Sequence, residues 1–291
     1  MSSETNKEDE SERLEESERV QRKEETEETP GKTDKSYRTP KDTVKKALDK
    51  GISGLKDEFL DCHSYPSTAI FTSYNDVANE NKNRFGRVRC IENTRVVLRN
   101  CNSDYIHANY ITLGSNTAKY IVSQGPLDYT ISDFWAMITQ KNCKYIVMVC
   151  DWIEMGRQKC SKYYPNVNET TQYGPFTIHT LQQEMISSST VLKTTIEVTP
   201  TSKNLTVTHY LLNSWPDRGL PRHSDDIFVI LNEIRCSQTP VVFHCSTGVG
   251  RSATIMGIEY MLKSILNGIS LPEDTLIASI RRYRASAISV R

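Results

Sequence analysis

The run Val241-Val242-Phe243-His244-Cys245-Ser246-Thr247-Gly248-Val249-Gly250-Arg251-Ser252 limits what this chain can fold into more than any other stretch. The residues Val241–His244 predict a buried strand, the glycine-containing turn a tight loop, and the residues after Arg251 a helix. A strand–loop–helix of this kind aims successive backbone N–H groups and a helix N-terminus at one point, where they favour a divalent oxyanion. A cysteine inside such a cradle is expected as a thiolate, because amide dipoles and the helix end stabilise negative charge. An arginine closing the loop can grip two phosphate oxygens with its planar fork. Cys245 as nucleophile, Ser246, Thr247, Gly248, Val249 and Gly250 as the cradle, and Arg251 as the clamp suggest phosphate-ester chemistry through a cysteinyl-phosphate. Of the eight cysteines (62, 90, 101, 143, 150, 160, 236 and 245), Cys245 alone has an arginine six residues on. A buried cysteine at a strand end is the ordinary alternative.

Charge is balanced over the 291 residues, 36 basic against 36 acidic, but unevenly spread. Residues 1–36 carry 13 acidic and 7 basic side chains, with Leu14 and Val20 the only large aliphatics after Met1. A segment with so little to bury predicts a disordered charged tail over 1–40. The remainder carries a small basic excess, suited to anionic groups but far too weak to argue for nucleic acid. The irregular cysteines do not form a disulfide framework, and without a Cys-x2-Cys pair no zinc site or other metal or cofactor is expected. No apolar signal core opens the chain and no run approaches the roughly 18 apolar residues a membrane span needs. A cytoplasmic protein without a membrane span is expected, its oligomeric state unreadable.

From Lys41 the pattern changes. Val44, Leu48, Ile52, Leu55 and Phe59 recur at helical spacing and predict one helix face, split at Gly51 or Gly54 into two short helices. Short runs rich in Val, Ile, Thr and Tyr at 95–98, 119–123, 145–150, 175–181, 194–198, 204–212 and 240–244 predict strands. Helices are expected from Thr130 or Ser132 with Phe134, Met137 and Ile138 on one face, and after Ser224 as N-cap. Two more are expected, from Arg251 to a stop at Gly268 and from Pro272-Glu273-Asp274 to the arginines at 281, 282 and 284. The whole predicts one α/β domain over 41–291, with a central twisted mixed sheet flanked by helices.

Taken with the loop, the segments Asn83-Arg84-Phe85, Asp104-Tyr105-Ile106, Ser123-Gln124-Gly125-Pro126-Leu127, Asp133-Phe134-Trp135, Lys159-Cys160 and Trp215-Pro216-Asp217 resemble, in order, the catalytic domain of phosphotyrosine-specific protein tyrosine phosphatases. The resemblance covers about 83–291 and implies hydrolysis of phosphotyrosine on proteins. It implies Asp217, 28 residues before the nucleophile, as general acid and base on a loop that closes over substrate, with Trp215 near its hinge. It further implies that Ser252 helps the cysteine leave, besides serving as a helix N-cap. His244 would tune the thiolate, Glu154 would hold Arg251, Lys159 would contact Asp217, and Phe85 would stack on the substrate ring.

The sequence departs from the family in places. Arg87 stands where the family usually has an Asp that anchors the substrate backbone, which suggests a shift toward peptides with acidic neighbours. Thr247 replaces a usual Ala and Ala253 a usual Gly. Ser289 takes the place of a Gln that positions the hydrolytic water, and the resemblance ends short of the family's last helix. A weakly active or inactive module that binds phosphotyrosine peptides is therefore the alternative to an enzyme. A dual-specificity phosphatase also uses Cys-x5-Arg, but Asn83-Arg84-Phe85 and Trp215-Pro216-Asp217 argue against it.

Overall fold

The computed structural model describes residues 40–62, 65–112, 120–187, 190–199, 204–217, 219–266 and 276–289. The tail, the Gly268 helix stop and the Pro272-Glu273-Asp274 helix start lie outside the described residues.

The core begins with strands that have few polar atoms to satisfy off the ladder. Val241–His244, named β11 here, is buried along its whole length, as expected of a strand covered on both faces. Burying each of Val241, Val242 and Phe243 contributes about 1.5–3 kcal/mol. It lies between β3 (Tyr120–Ser123) and β4 (Tyr145–Met148), parallel to both. β10 (Leu205–Leu212) extends this parallel block beyond β4. Antiparallel strands continue the sheet on either side. β2 (Tyr105–Ile111) and β1 (Arg95–Val97) follow β3 outward, while β9 (Val191–Thr199), β8 (Phe176–Ile186) and β7 (Thr170–Tyr173) follow β10. Among the described residues this makes a mixed sheet in the order β1-β2-β3-β11-β4-β10-β9-β8-β7. β5 (Ile153–Glu154) and β6 (Arg157–Gln158) form a separate small hairpin.

Helices pack on this sheet. The first helix, α1 (Pro40–Asp61), is broken at Gly51, whose φ of 62° is outside the helical region. On its apolar face Leu48 is 74% and Ile52 88% exposed. The break at Gly51 interrupts the helical repeat that would have kept these positions on one stripe, and it is Phe59, farther along, that packs beneath the Arg281 guanidinium. α2 is the single turn Thr72–Asn75. α3 (Ile131–Gln140) buries Phe134, Trp135, Met137 and Ile138, and its Asp133 pairs with Lys82 at 2.8 Å. α4 (Asp225–Ile234) starts after Ser224, although that hydroxyl makes no capping bond. α5 (Arg251–Leu266) follows the glycine loop and α6 (Leu276–Tyr283) leads into the turn 284–289.

The parallel block has one consequence for the site. The carboxyl ends of β3, β11, β4 and β10 feed, in turn, Gln124-Gly125, the Cys245 loop, the hairpin with Glu154, and Trp215-Pro216-Asp217. Four distant stretches thus emerge at the edge of the sheet where open α/β folds bind their ligands. β2 and β7 were not expected from the sequence. β2 carries His107 and Asn109 on buried positions, which disguises its strand character.

Candidate active site

The loop after β11 turns on Gly248. Its φ is +70°, and a Cβ there would meet the Ser123 carbonyl oxygen at 2.2 Å, so only glycine fits. Gly125 is confined in the same way, since a Cβ would lie 2.8 Å from the Cys245 carbonyl. Its N–H donates to the Ser246 carbonyl at 3.1 Å, which fastens the end of β3 against the loop.

Cys245 is buried inside the turn. Its Sγ accepts from the Gly248 N–H at 3.3 Å and from the Ser252 hydroxyl at 3.3 Å. Burial pushes the Cys245 thiol up, but the Ser252 hydroxyl and backbone, the Arg251 charge and the Gly248 N–H together hold it below the ordinary thiol value. The other buried cysteines behave oppositely: burial raises Cys90 to about 11 and Cys143 to about 12. Ser252 lies inside the first turn of α5 rather than at its N-cap, because the helix already begins at Arg251. Its hydroxyl is spent on sulfur.

Arg251 is held in a fork. Nη1 donates to Glu154 Oε1 at 2.6 Å and Nη2 to Glu154 Oε2 at 2.9 Å. Nη1 also reaches the Trp215 carbonyl at 2.8 Å. Burial lowers the guanidinium's proton affinity, yet the Glu154 carboxylate together with the Cys245 and Cys150 sulfurs leaves it raised. Lys159 stands between the two carboxylates, 2.7 Å from Asp217 Oδ2 and 3.6 Å from Glu154 Oε2. The Trp215 indole N–H donates to the Gly219 carbonyl at 2.8 Å and so closes the turn that carries Asp217.

His244 does not touch sulfur. Its Nδ1 is 3.4 Å from the Cys245 carbonyl and its Nε2 is 2.7 Å from the Tyr163 hydroxyl. A carbonyl only accepts, so Nδ1 carries the proton and Nε2 accepts from Tyr163. His209 Nε2 then donates to the same phenol oxygen at 2.7 Å. Burial pushes His244 down to about 4, so the ring is neutral. Tyr163 and His209 had drawn no notice in the sequence.

Thr247 turns its hydroxyl inward. It lies 3.9 Å from the sulfur and accepts from the Val249 N–H at 3.4 Å, so one cradle amide is occupied by the loop itself. Gly250 precedes α5, and its carbonyl accepts from the Thr254 N–H at 3.0 Å.

Phe85 reaches the site's edge through its neighbours. Arg84 donates its N–H to Gln124 Oε1 at 3.0 Å, its Nε–H to the Gly125 carbonyl at 3.1 Å and its Nη2 to the Pro126 carbonyl at 2.5 Å. The half-buried Phe85 opens a turn closed by the Val88 N–H on its carbonyl at 3.2 Å, with the exposed Arg87 at the tip. The structure thus gathers Cys245, Ser246, Thr247, Gly248, Val249, Gly250, Arg251, Ser252, Glu154, Lys159, Trp215 and Asp217 in one place, with His244 behind them, and ties Phe85 to them only through the neighbouring Arg84.

The protein-tyrosine phosphatase family model matches residues 79–291. Mouse tyrosine-protein phosphatase non-receptor type 18 is 34% identical over 223 residues, which is 73% of this chain and 49% of that protein. Tyrosine-protein phosphatase 1 of Caenorhabditis elegans is 35% identical over 220 residues, 72% of this chain and 21% of its own length. The chain spans about half the length of the type 18 relatives it matches. Among solved structures, the catalytic domain of human tyrosine phosphatase non-receptor type 18 superposes with a TM-score of 0.74 at 28% identity, covering 83% of this chain and 92% of that one. PTPN18 in complex with HER2-pY1196 phosphopeptides superposes with a TM-score of 0.77 at 27% identity, covering 85% and 92%.

Proposed function

Because this chain belongs to the protein-tyrosine phosphatase family, we propose that it hydrolyses phosphotyrosine on proteins through a cysteinyl-phosphate on Cys245. The observation that carries the reading is the Cys245 sulfur, held below the ordinary thiol value by Gly248 and Ser252 beside an arginine fixed by Glu154. Sγ attacks phosphorus, the bond to the tyrosyl oxygen breaks, and Asp217 gives that oxygen its proton. Arg251 and the cradle N–H groups take up the charge of the transferring phosphoryl group. In the second half, water attacks phosphorus and gives its proton to Asp217, while the S–P bond breaks and Ser252 donates to the departing sulfur. Phe85 offers a ring face for the tyrosine. His244 remains neutral and acts through the Cys245 carbonyl rather than as a base.

We take the catalytic unit as 41–291, preceded by the charged tail. The phosphopeptide complexes of the type 18 relative support a phosphotyrosine protein as substrate. Non-receptor relatives support a cytoplasmic site of action, and no described helix is long and apolar enough to cross a membrane. Ser289, standing where the resemblance expects a Gln, favours a second reading: capture of phosphotyrosine peptides with slow release of phosphate.

The full chain assayed on p-nitrophenyl phosphate and a phosphotyrosine peptide tests this. Activity should vanish in Cys245→Ser with peptide binding retained, and Asp217→Asn should lose about 10²–10⁴-fold. A folded wild-type chain that binds the peptide but never releases phosphate would establish the second reading.

A further inference from the structure

Arg284 is fully buried and pairs with no Asp or Glu among the described residues. A buried guanidinium with neutral partners alone is costly, so its position asks for a reason. Its Nε–H donates to the Gly248 carbonyl at 3.1 Å and its Nη2 to the Thr247 carbonyl at 3.2 Å. The other side of the fork is held by β2, with Nη1 on Asn109 Oδ1 at 2.8 Å and Nη2 on His107 Nδ1 at 3.0 Å. His107 in turn contacts the Val88 carbonyl through Nε2 at 2.9 Å. A carbonyl only accepts, so Nε2 carries the proton and Nδ1 is free to receive Arg284. Burial, reinforced by the Arg284 charge, pushes His107 down to about 3 and keeps it neutral.

In a trans peptide the C=O and the next N–H point in opposite directions. Pulling the Thr247 carbonyl outward therefore turns the Gly248 N–H inward, where it meets Cys245 Sγ at 3.3 Å. Pulling the Gly248 carbonyl outward turns the Val249 N–H inward. The same segment finishes the row: the Ser289 N–H takes the Val249 carbonyl at 3.3 Å, which turns the Gly250 N–H inward. Three successive loop carbonyls are thus drawn to one side by residues 284–289.

We propose that Arg284 is a positioning residue for the phosphate cradle, orienting its amides from behind and supplying a buried positive charge whose anionic counterpart is the Cys245 thiolate or the bound phosphoryl group. This rests on the function proposed above but is read without turnover. Asn109 and His107 belong to the same device, since they engage two more donors of the fork and carry no charge to cancel it.

The test uses the full chain with Arg284→Gln and Arg284→Lys, each checked for folding by thermal melting. The pH dependence of Cys245 alkylation by iodoacetamide titrates the thiolate, and inorganic vanadate reports the cradle. Arg284→Gln should move the alkylation inflection upward by about one pH unit and weaken vanadate about tenfold or more. Arg284→Lys should recover most of the inflection, because the charge remains. Its vanadate affinity should stay low, because an ammonium lacks the fork that holds both carbonyls. A folded Arg284→Gln chain with unmoved inflection and vanadate affinity would overturn the proposal. If the variants do not fold, the wild-type chain labelled with 15N-arginine carries the test. Its most solvent-protected arginine Nε–H should shift as Cys245 ionises, and a resonance indifferent to that ionisation overturns the proposal equally. A chain that never hydrolyses phosphotyrosine still gives both readouts, so the two failures are distinguishable.

Discussion

Lys159 Nζ lies 2.7 Å from Asp217 Oδ2 and 3.6 Å from Glu154 Oε2, so one ammonium joins the carboxylate of the Trp215–Asp217 turn to the carboxylate that grips Arg251. Arg251 closes the circuit by donating to the Trp215 carbonyl at 2.8 Å. The orientation of Arg251 and the placement of Asp217 are therefore coupled, and a change at either carboxylate is felt at the other.

Replacing Glu154 by Gln removes the carboxylate from this circuit and leaves Arg251 one side-chain acceptor instead of two beside the Trp215 carbonyl. Hydrogen bonds to charged groups contribute about 1.5–3 kcal/mol each, so kcat/KM on a phosphotyrosine peptide should fall about 10–100-fold. Steady-state kinetics within twofold of wild type would show that Arg251 holds its pose without Glu154.

Acid should destabilise the fold through its buried histidines. Burial keeps His107 at about 3 and His244 at about 4, against roughly 6.5 in an unfolded chain. Between those values the unfolded state binds protons that the folded state refuses, so stability rises with pH across this window and is lost as pH falls from about 6.5 toward 4. Melting temperature should drop over that range, with a shallower slope in His244→Gln. Equal slopes for the two proteins would remove His244 from the account.

Ser289 should show in the kinetics. Its backbone N–H supports the Val249 carbonyl, but a serine side chain is too short to do what a glutamine amide does for an attacking water. Rapid mixing should reveal a burst of released phenol followed by slower turnover, and Ser289→Gln should raise the slow phase. A fast linear course with no burst would show that release of phosphate is not limiting.

Arg87 should bias substrate choice. It sits exposed at the tip of the turn opened by Phe85. Peptides with acidic residues next to the phosphotyrosine should be favoured, by an amount that shrinks with added salt. Arg87→Asp should reverse the order. A peptide panel ranked alike by both proteins would dismiss the effect.

Much of this was visible before any coordinates. The continuous apolar run at 241–244 located β11, and the structure sets Glu154 against Arg251 and Lys159 against Asp217. What stayed hidden had physical causes. β2 escaped because His107 and Asn109 occupy core positions where a strand normally carries aliphatics, and they do so to satisfy Arg284. Tyr163 and His209 gave no signal, since a hydrogen bond between residues 46 apart leaves no local pattern. The split of α1 at Gly51 was legible from the glycine in its apolar repeat. Thr247 showed as a bulky neighbour of the nucleophile, but its hydroxyl bond to the Val249 N–H needed three dimensions to see.

The order of strands also says something about time. β11 is the last strand in sequence among those described, yet it occupies the slot between β3 and β4. As the chain leaves the ribosome, those two strands must wait with unpaired edges for a partner made about a hundred residues later, a delay during which edge pairing with other chains competes. The same strand carries Cys245, the proposed nucleophile, at its carboxyl end. A nascent chain therefore places Cys245 in its loop only in the event that closes its own sheet.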